Sequence, residues 1–250
     1  MIRVALKFLL GLGFLAGVLI TYEFLNLPNV EKLKSSNPRT TALMQIREKQ
    51  SKRRGLAPLR RQIWVPYQDF AANLKRAVIL GEDAAFFAHQ GVDLFELKEA
   101  LKTDWQKGRF KRGASTITMQ LARNIYLSPE KSLLRKMREV MIAFQMEGVL
   151  SKQRIFEIYL NVVEWGPGLY GAEMAARHYY SKSAADLSLV ESATLAALLP
   201  DPLGSREKEL VRRRNVILKR MLAARDINQS EFEELSGEPL FYKPNRFSVP

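Results

Sequence analysis

The sequence predicts a mostly α fold behind a single apolar N-terminal helix, and three observations carry that reading. Apolar residues recur at helical spacing through several stretches, little of the chain alternates with period two, and residues 4–22 are apolar except for Lys7. At 250 residues the chain can bury one substantial core, with little room for a second catalytic domain beyond it.

Residues 1–22 are read as a transmembrane signal anchor, because residues 8–22 carry no charge and approach the roughly 20 helical residues that cross a bilayer core. Arg3 and Lys7 would also suit a cleaved signal peptide, but no Ala-x-Ala site follows the apolar run. Basic residues flank both ends, Arg3 and Lys7 against Lys32, Lys34 and Arg39, so the charge rule leaves the orientation nearly tied.

Residues 23–61 read as a basic juxtamembrane linker. Residues 31–61 hold ten Lys or Arg against Glu31 and Glu48, a large part of the net charge of +13. Next to a membrane span, each such residue is drawn to anionic headgroups by about 1 kcal/mol, so the stretch is expected to lie along the bilayer. So basic a chain also raises a nucleic-acid partner, against which the apolar span argues. The absence of cysteine fits an oxidising exterior and the cytosol equally.

Residues 62–236 are expected to form the globular domain. Pro66 and Asp69 open a helical pattern in which Phe70, Leu74, Ala77 and Val78 lead into Glu82, placing that carboxylate near a helix end. Residues 115–123 and 133–150 also favour helix. In the second, Met137, Val140, Met141 and Phe144 fall at i, i+3, i+4 and i+7 as a core stripe, which leaves Arg135, Lys136 and Glu139 off it. Lys136 and Glu139 are then neighbours on one face, and alone they read as a surface ion pair. Ser151 caps a helix through Asn161, and Ser188 with Glu191 has capping-box spacing before an apolar run that Pro200 and Pro202 end. Gly166, Pro167 and Gly168 mark a loop, with at most a short hairpin. Residues 237–250 turn Pro-rich and are expected to run as an extended tail. Between residues 92 and 112, Leu94, Phe95, Leu97, Leu101, Trp105 and Phe110 interleave with Lys98, Lys102, Lys107, Arg109, Lys111 and Arg112. That pattern suits a membrane interface, and equally an amphipathic helix packed on a core.

The chemistry centres on residues 82–91, where Glu82, Asp83, Phe86, His89 and Gly91 stand together. At roughly 5% per residue type, five fixed positions recur by chance in about three windows per ten million, so a helix end with incidental surface acids does not account for them. Further sets follow in order. They are Gly113, Ser115, Thr116, Ile117, Thr118 and Gln120, then Arg135, Lys136 and Glu139, then Lys152, Ile155, Glu157, Tyr159, Leu160 and Asn161.

This series resembles the glycosyltransferase family 51 domains, the peptidoglycan glycosyltransferases, over roughly residues 62–205. Residues 164–168 and 171–180 are most similar to the monofunctional members. The resemblance implies a lysozyme-like glycosyltransferase fold and polymerisation of lipid II into β-1,4-linked strands, with inversion and release of undecaprenyl pyrophosphate. It implies a domain on the outer face of the cytoplasmic membrane. Lipid II, a lipid-linked glycan strand, the lipid bilayer and other cell-wall synthesis proteins are the expected partners, and nucleic acid is not.

Within that resemblance Glu82 is expected as the general base, since a carboxylate near a helix end in a partly desolvated cleft gains basicity. Asp83, about 100° further round a helix, shapes the surrounding network. Glu139 is the second catalytic carboxylate and the expected ligand of Mg²⁺ or Mn²⁺ bridging the pyrophosphate. Arg123, Arg135 and Lys136 supply cations to the leaving group. Ser115, Thr116, Gln120 and Asn124 are expected to hydrogen-bond sugars and phosphates, with Asp83, Phe86 and His89 in the same substrate-binding set and Lys152, Glu157 and Asn161 as framework at the rim. Two positions depart from the family pattern: Met119 replaces a glutamine and so lacks the amide's donor and acceptor, and Arg123 replaces a lysine and changes donor geometry. One alternative is a lysozyme-like glycan hydrolase, which has no use for cations aimed at a pyrophosphate. Another is a catalytically silent membrane scaffold binding lipid II, against which Glu82 and Glu139 count. Ser128 with Lys131 and Ser205 with Lys208 match Ser-x-x-Lys but lack the companion motifs of a transpeptidase.

Overall fold

In the computed structural model, which describes residues 2–107, 115–130, 132–204 and 206–240, helices dominate. They are α1 (Ile2–Leu25), α2 (Ala42–Arg53), α3 (Ala72–Glu82), α4 (Leu94–Lys107), α5 (Ile117–Tyr126), α6 (Leu133–Val149), α7 (Lys152–Val162), α8 (Ala172–Tyr180), α9 (Leu189–Leu198), α10 (Glu207–Ala223) and α11 (Gln229–Gly237). Side chains at residues 2–9, 12, 16, 100, 101 and 103–107 lie outside the described set. So do the expectations resting on Phe110, Arg109, Lys111, Arg112, Gly113, Lys131, Ser205 and the tail beyond residue 240.

Helix α9 is the inner element. Residues 192–199 are all buried, as befits a helix that is apolar all round, and both α3 and α10 pack on it. Its start has the expected capping box, Ser188 accepting from Glu191 N while Glu191 accepts from Ser188 N. Helices α5, α6 and α7 pack as a second group. The first expected helix is divided, with a 3₁₀ turn at Tyr67–Asp69 and α3 beginning only at Ala72.

A small sheet with α8 packed on it runs in the order β1-β3-β2, from β1 (Arg61–Gln62), β2 (Glu164–Gly166) and β3 (Leu169–Tyr170). The Gly166-Pro167-Gly168 loop turns β2 into the antiparallel β3, and β1 adds a parallel strand that the expected hairpin did not include. Gly168 has φ +68°, and a Cβ there would meet the Leu59 carbonyl oxygen at 2.5 Å, so only glycine fits.

Helix α6 keeps its expected span and reverses its expected face. Glu139, Ile142, Ala143 and Met146 are buried, whereas Met137, Val140 and Met141 are only partly covered and Phe144 is 51% exposed. The periodic apolar positions are a genuine stripe turned away from the core. Glu139, read from the sequence as off the stripe, is buried at 1% exposure, because three cations accompany it.

Part of the segment expected to be a linker is folded. Val30, Leu33 and Met44 belong to the core, and α2 packs on α5 behind an N-cap in which Thr41 accepts from Met44 N. Arg154 holds the approach by donating to Leu33 O at 2.9 Å, Ser36 O at 3.1 Å and Asn37 Oδ1 at 2.8 Å. The buried Glu23 on α1 pairs with Arg138 on α6. Among the described residues no helix is long and apolar enough to cross a membrane.

Candidate active site

Glu82 is the last residue of α3 and is held from two other helices. Gln120 on α5 donates from Nε2 to Glu82 Oε2 at 2.8 Å, and Tyr159 on α7 donates its hydroxyl to Gln120 Oε1 at 3.0 Å. Burial raises the Glu82 pKa above the ordinary carboxylate value, while the Gln120 hydrogen bond and the charges of Arg123, Arg220 and Arg213 pull it partly back. Burial, seconded by the Glu82 charge, pushes the Tyr159 phenol up, so it stays a protonated donor.

The rest of the first motif builds the platform under that carboxylate. Asp83 accepts from Ile117 N at 3.0 Å and from His89 Nε2 at 2.9 and 3.0 Å, joining the end of α3 to the start of α5. Phe86 is fully buried, packed against Phe156 with the Lys152 ammonium 4.4 Å above its ring. Thr116 donates to Gly91 O at 2.6 Å and caps α5 by accepting from Met119 N at 3.2 Å. Gly91, with φ +88°, lets α6 approach, since a Cβ would stand 3.3 Å from the Ala143 backbone. Asp83, Phe86, His89 and Thr116, expected among the substrate-binding residues, thus meet protein partners around Glu82.

The rim residues of the last motif brace in the same way. Asn161 exchanges two 2.8 Å hydrogen bonds with the Val65 backbone, Glu157 accepts from Tyr67 N at 3.1 Å, and Lys152 donates to Glu147 at 2.8 Å. Met119 is buried, so that departure from the family pattern falls on packing.

The second carboxylate, Glu139, sits within a cluster of cations. Arg135 donates to Glu139 Oε1, Arg123 Nη1 lies 3.8 Å from the same oxygen, and Lys136 Nζ stands 3.0 Å from Oε2. Lys136 meets Oε2 outside hydrogen-bond geometry and acts on it as a point charge, its directed bond going to Ser115 Oγ at 2.6 Å. Among the described residues no three His, Cys, Asp or Glu converge on a metal position. Glu139 is the one carboxylate of the cluster, so it is the residue that would offer oxygen to a divalent cation there.

A cleft of about 250 Å³ adjoins both carboxylates through residues that hydrogen-bond or pair with them. Gln120, Arg123, Asn124 and Arg135 line it, with Leu43 and Arg47 from α2, Val163 and Glu164 near β2, and Leu199, Pro200 and Pro202 after α9. A larger, open depression of about 530 Å³ lies along α3 and residues 84–88 and touches none of the expected site residues. The smaller cleft is the candidate site because it holds the charges. Arg47 and Glu164 were not among the expected site residues. Burial raises the Glu164 pKa and Arg47 lowers it in part, first by its charge and then by two hydrogen bonds to Oε2 at 3.1 and 2.9 Å.

A transglycosylase family model matches residues 50–222. The chain belongs to the transglycosylase family. Its similar relatives carry the name biosynthetic peptidoglycan transglycosylase. That of Thiobacillus denitrificans is 44% identical over 222 residues, 86% of this chain and 95% of that protein. That of Janthinobacterium sp. is 46% identical over 197 residues, 75% and 83% of the two chains. That of Burkholderia orbicola is 41% identical over 220 residues, 86% and 89%. The transglycosylase match covers Glu82, the residues packed around it and the cation cluster, and it begins inside α2, after Arg47.

Proposed function

We propose that the enzyme polymerises lipid II into β-1,4-linked glycan strands and releases undecaprenyl pyrophosphate. One observation carries the reading: a buried, hydrogen-bonded Glu82 with raised pKa stands beside a cleft walled by Arg123 and Arg135 around the buried Glu139. The names of the relatives support it. Glu82 takes the proton of the acceptor sugar's 4-hydroxyl, and the freed oxygen attacks the anomeric carbon from the face opposite the leaving group. The bond from that carbon to the phosphate oxygen breaks, its electron pair passes to the pyrophosphate, and the configuration inverts. Arg123, Arg135 and Lys136 take up the charge that develops there. Glu139 orients them and is the residue that would share a divalent cation, which supplies further positive charge to the departing phosphates.

Incubating the detergent-purified chain with labelled lipid II should give uncrosslinked strands that a muramidase digests. Unchanged lipid II across several detergents and metals would refute the reading, and shortening of preformed strands would favour the hydrolase instead.

The same proposal places α1 in the cytoplasmic membrane with the domain on its outer face. Phe14 and Leu15 on α1, Leu94 and Phe95 on α4, and Leu133 at the start of α6 are apolar and exposed, and the exposed Lys98 and Lys102 flank the α4 pair. Replacing Leu94 and Phe95 together by Ser is expected to weaken binding of a chain lacking residues 1–22 to anionic liposomes, measured by sedimentation. Unchanged partitioning would remove α4 from the interface.

A further inference from the structure

The cleft repeats one device. Glu139, 1% exposed, fixes the Arg135 guanidinium, and Glu164, 4% exposed, fixes that of Arg47, with both arginines lining the same space. A buried carboxylate that holds a planar fork in place removes the rotamer entropy a ligand would otherwise have to overcome. Glu139 sits among the cations assigned to the pyrophosphate, whereas no role has yet been assigned to the Arg47–Glu164 pair.

Arg47 has donors to spare. Of five N–H groups, Nε and Nη2 serve Glu164 Oε2, and Nη1 reaches Gln50 Oε1 only at 3.4 Å. Two N–H groups are left over on a side chain that is 33% exposed. A clamp that only fastened α2 to β2 would need neither the exposure nor the place in the cleft. Nor would it need a guanidinium, since an ammonium can meet one carboxylate oxygen as a point charge.

We propose that Arg47, oriented by Glu164, is a substrate-binding residue that recognises a carboxylate on the peptide-bearing sugar while the pyrophosphate lies against Arg123 and Arg135. The inference rests on the lipid II reading above. It assigns to α2 a share in choosing which substrate enters, so the segment before the matched family domain helps to set specificity.

The test compares the full chain with Arg47→Lys, Arg47→Met, Glu164→Gln and the double variant Arg47→Met/Glu164→Gln, which leaves no unpaired buried charge. Each is assayed with lipid II bearing free or amidated stem-peptide carboxylates, for inhibition by inorganic pyrophosphate, for direct lipid II binding and for Tm. Arg47→Met and the double variant should raise KM for the free-acid substrate roughly tenfold, the loss of one charge-assisted hydrogen bond. kcat should change little, the preference for free over amidated stems should vanish, and the pyrophosphate Ki should hold. Arg47→Lys should recover only part of the preference. A pyrophosphate Ki that rises in step with KM would overturn the proposal by moving Arg47 into the phosphate site. A lowered Tm with unaltered substrate preference would overturn it by leaving a structural clamp. If the unmodified chain binds lipid II without polymerising it, the catalytic reading fails separately, and the binding constants still decide the role of Arg47.

Discussion

Glutamine at position 82 is expected to leave lipid II bound and unpolymerised. The substitution keeps size and a hydrogen-bonding group beside Gln120 but removes the acceptor for the sugar proton, and loss of a general base typically costs about 10² to 10⁴ in rate. The base works only when ionised, and burial holds Glu82 above the ordinary carboxylate value. Activity of the unmodified enzyme should therefore fall as pH drops through that raised pKa, and the residual activity of Glu82→Gln should lack this acid limb. Single-turnover rates across pH, with lipid II affinity measured alongside, check both statements. Near-normal turnover, or an acid limb that survives, would mean that another group takes the proton.

Glu139→Gln should act through the leaving group and through stability. It leaves Arg135, Lys136 and Arg123 facing a neutral amide in a position where the carboxylate is 1% exposed. Removing one partner of an ion pair costs about 3–5 kcal/mol when the charge left behind is buried; Arg135, Lys136 and Arg123 stay 15%, 39% and 37% exposed, so Tm should fall by less than that implies while the fold persists. The remaining activity should show a changed pyrophosphate Ki and a shifted Mg²⁺ titration midpoint, with the acid limb of the pH profile where it was. An altered acid limb with unchanged pyrophosphate inhibition would exchange the roles of the two glutamates.

The positions of α5, α6, α7 and α9 were legible because local signals agree with the fold there, whereas α2 lay hidden in the expected linker. Ser151 and Ser188 cap as their spacing implies, and the apolar run of α9 is buried as such runs must be. The face of α6 was not legible. Hydropathy ranks Val140, Met141 and Phe144 above Glu139 for burial, and only the arrival of Arg123 from α5, distant in sequence, with Arg135 and Lys136 makes the opposite choice stable. The first motif shows the same limit at the site. Spacing marked Glu82, Asp83, Phe86 and His89 alike as functional. Which of them faces the cleft depends on partners such as Ile117 N and Phe156, which no local pattern reveals. Arg47 was concealed in another way, since one arginine among ten basic residues reads as part of a charge run until its carboxylate partner, Glu164, is brought beside it.

The folding of the N-terminal segment onto the domain bears on reach. Only residues 26–29 separate the end of α1 from Val30, already part of the core, so the five steps from Leu25 to Val30 reach at most about 18 Å at roughly 3.5 Å per extended residue. With α1 in the bilayer as proposed, the tether is shorter than the breadth of about 40 Å expected of a domain of this size. The catalyst then cannot sample the aqueous space above the membrane and meets its substrate as one surface diffusant meets another. Its working concentration is set by lipid density per unit area, and a growing strand has to be pushed outward past an enzyme that stays where it is.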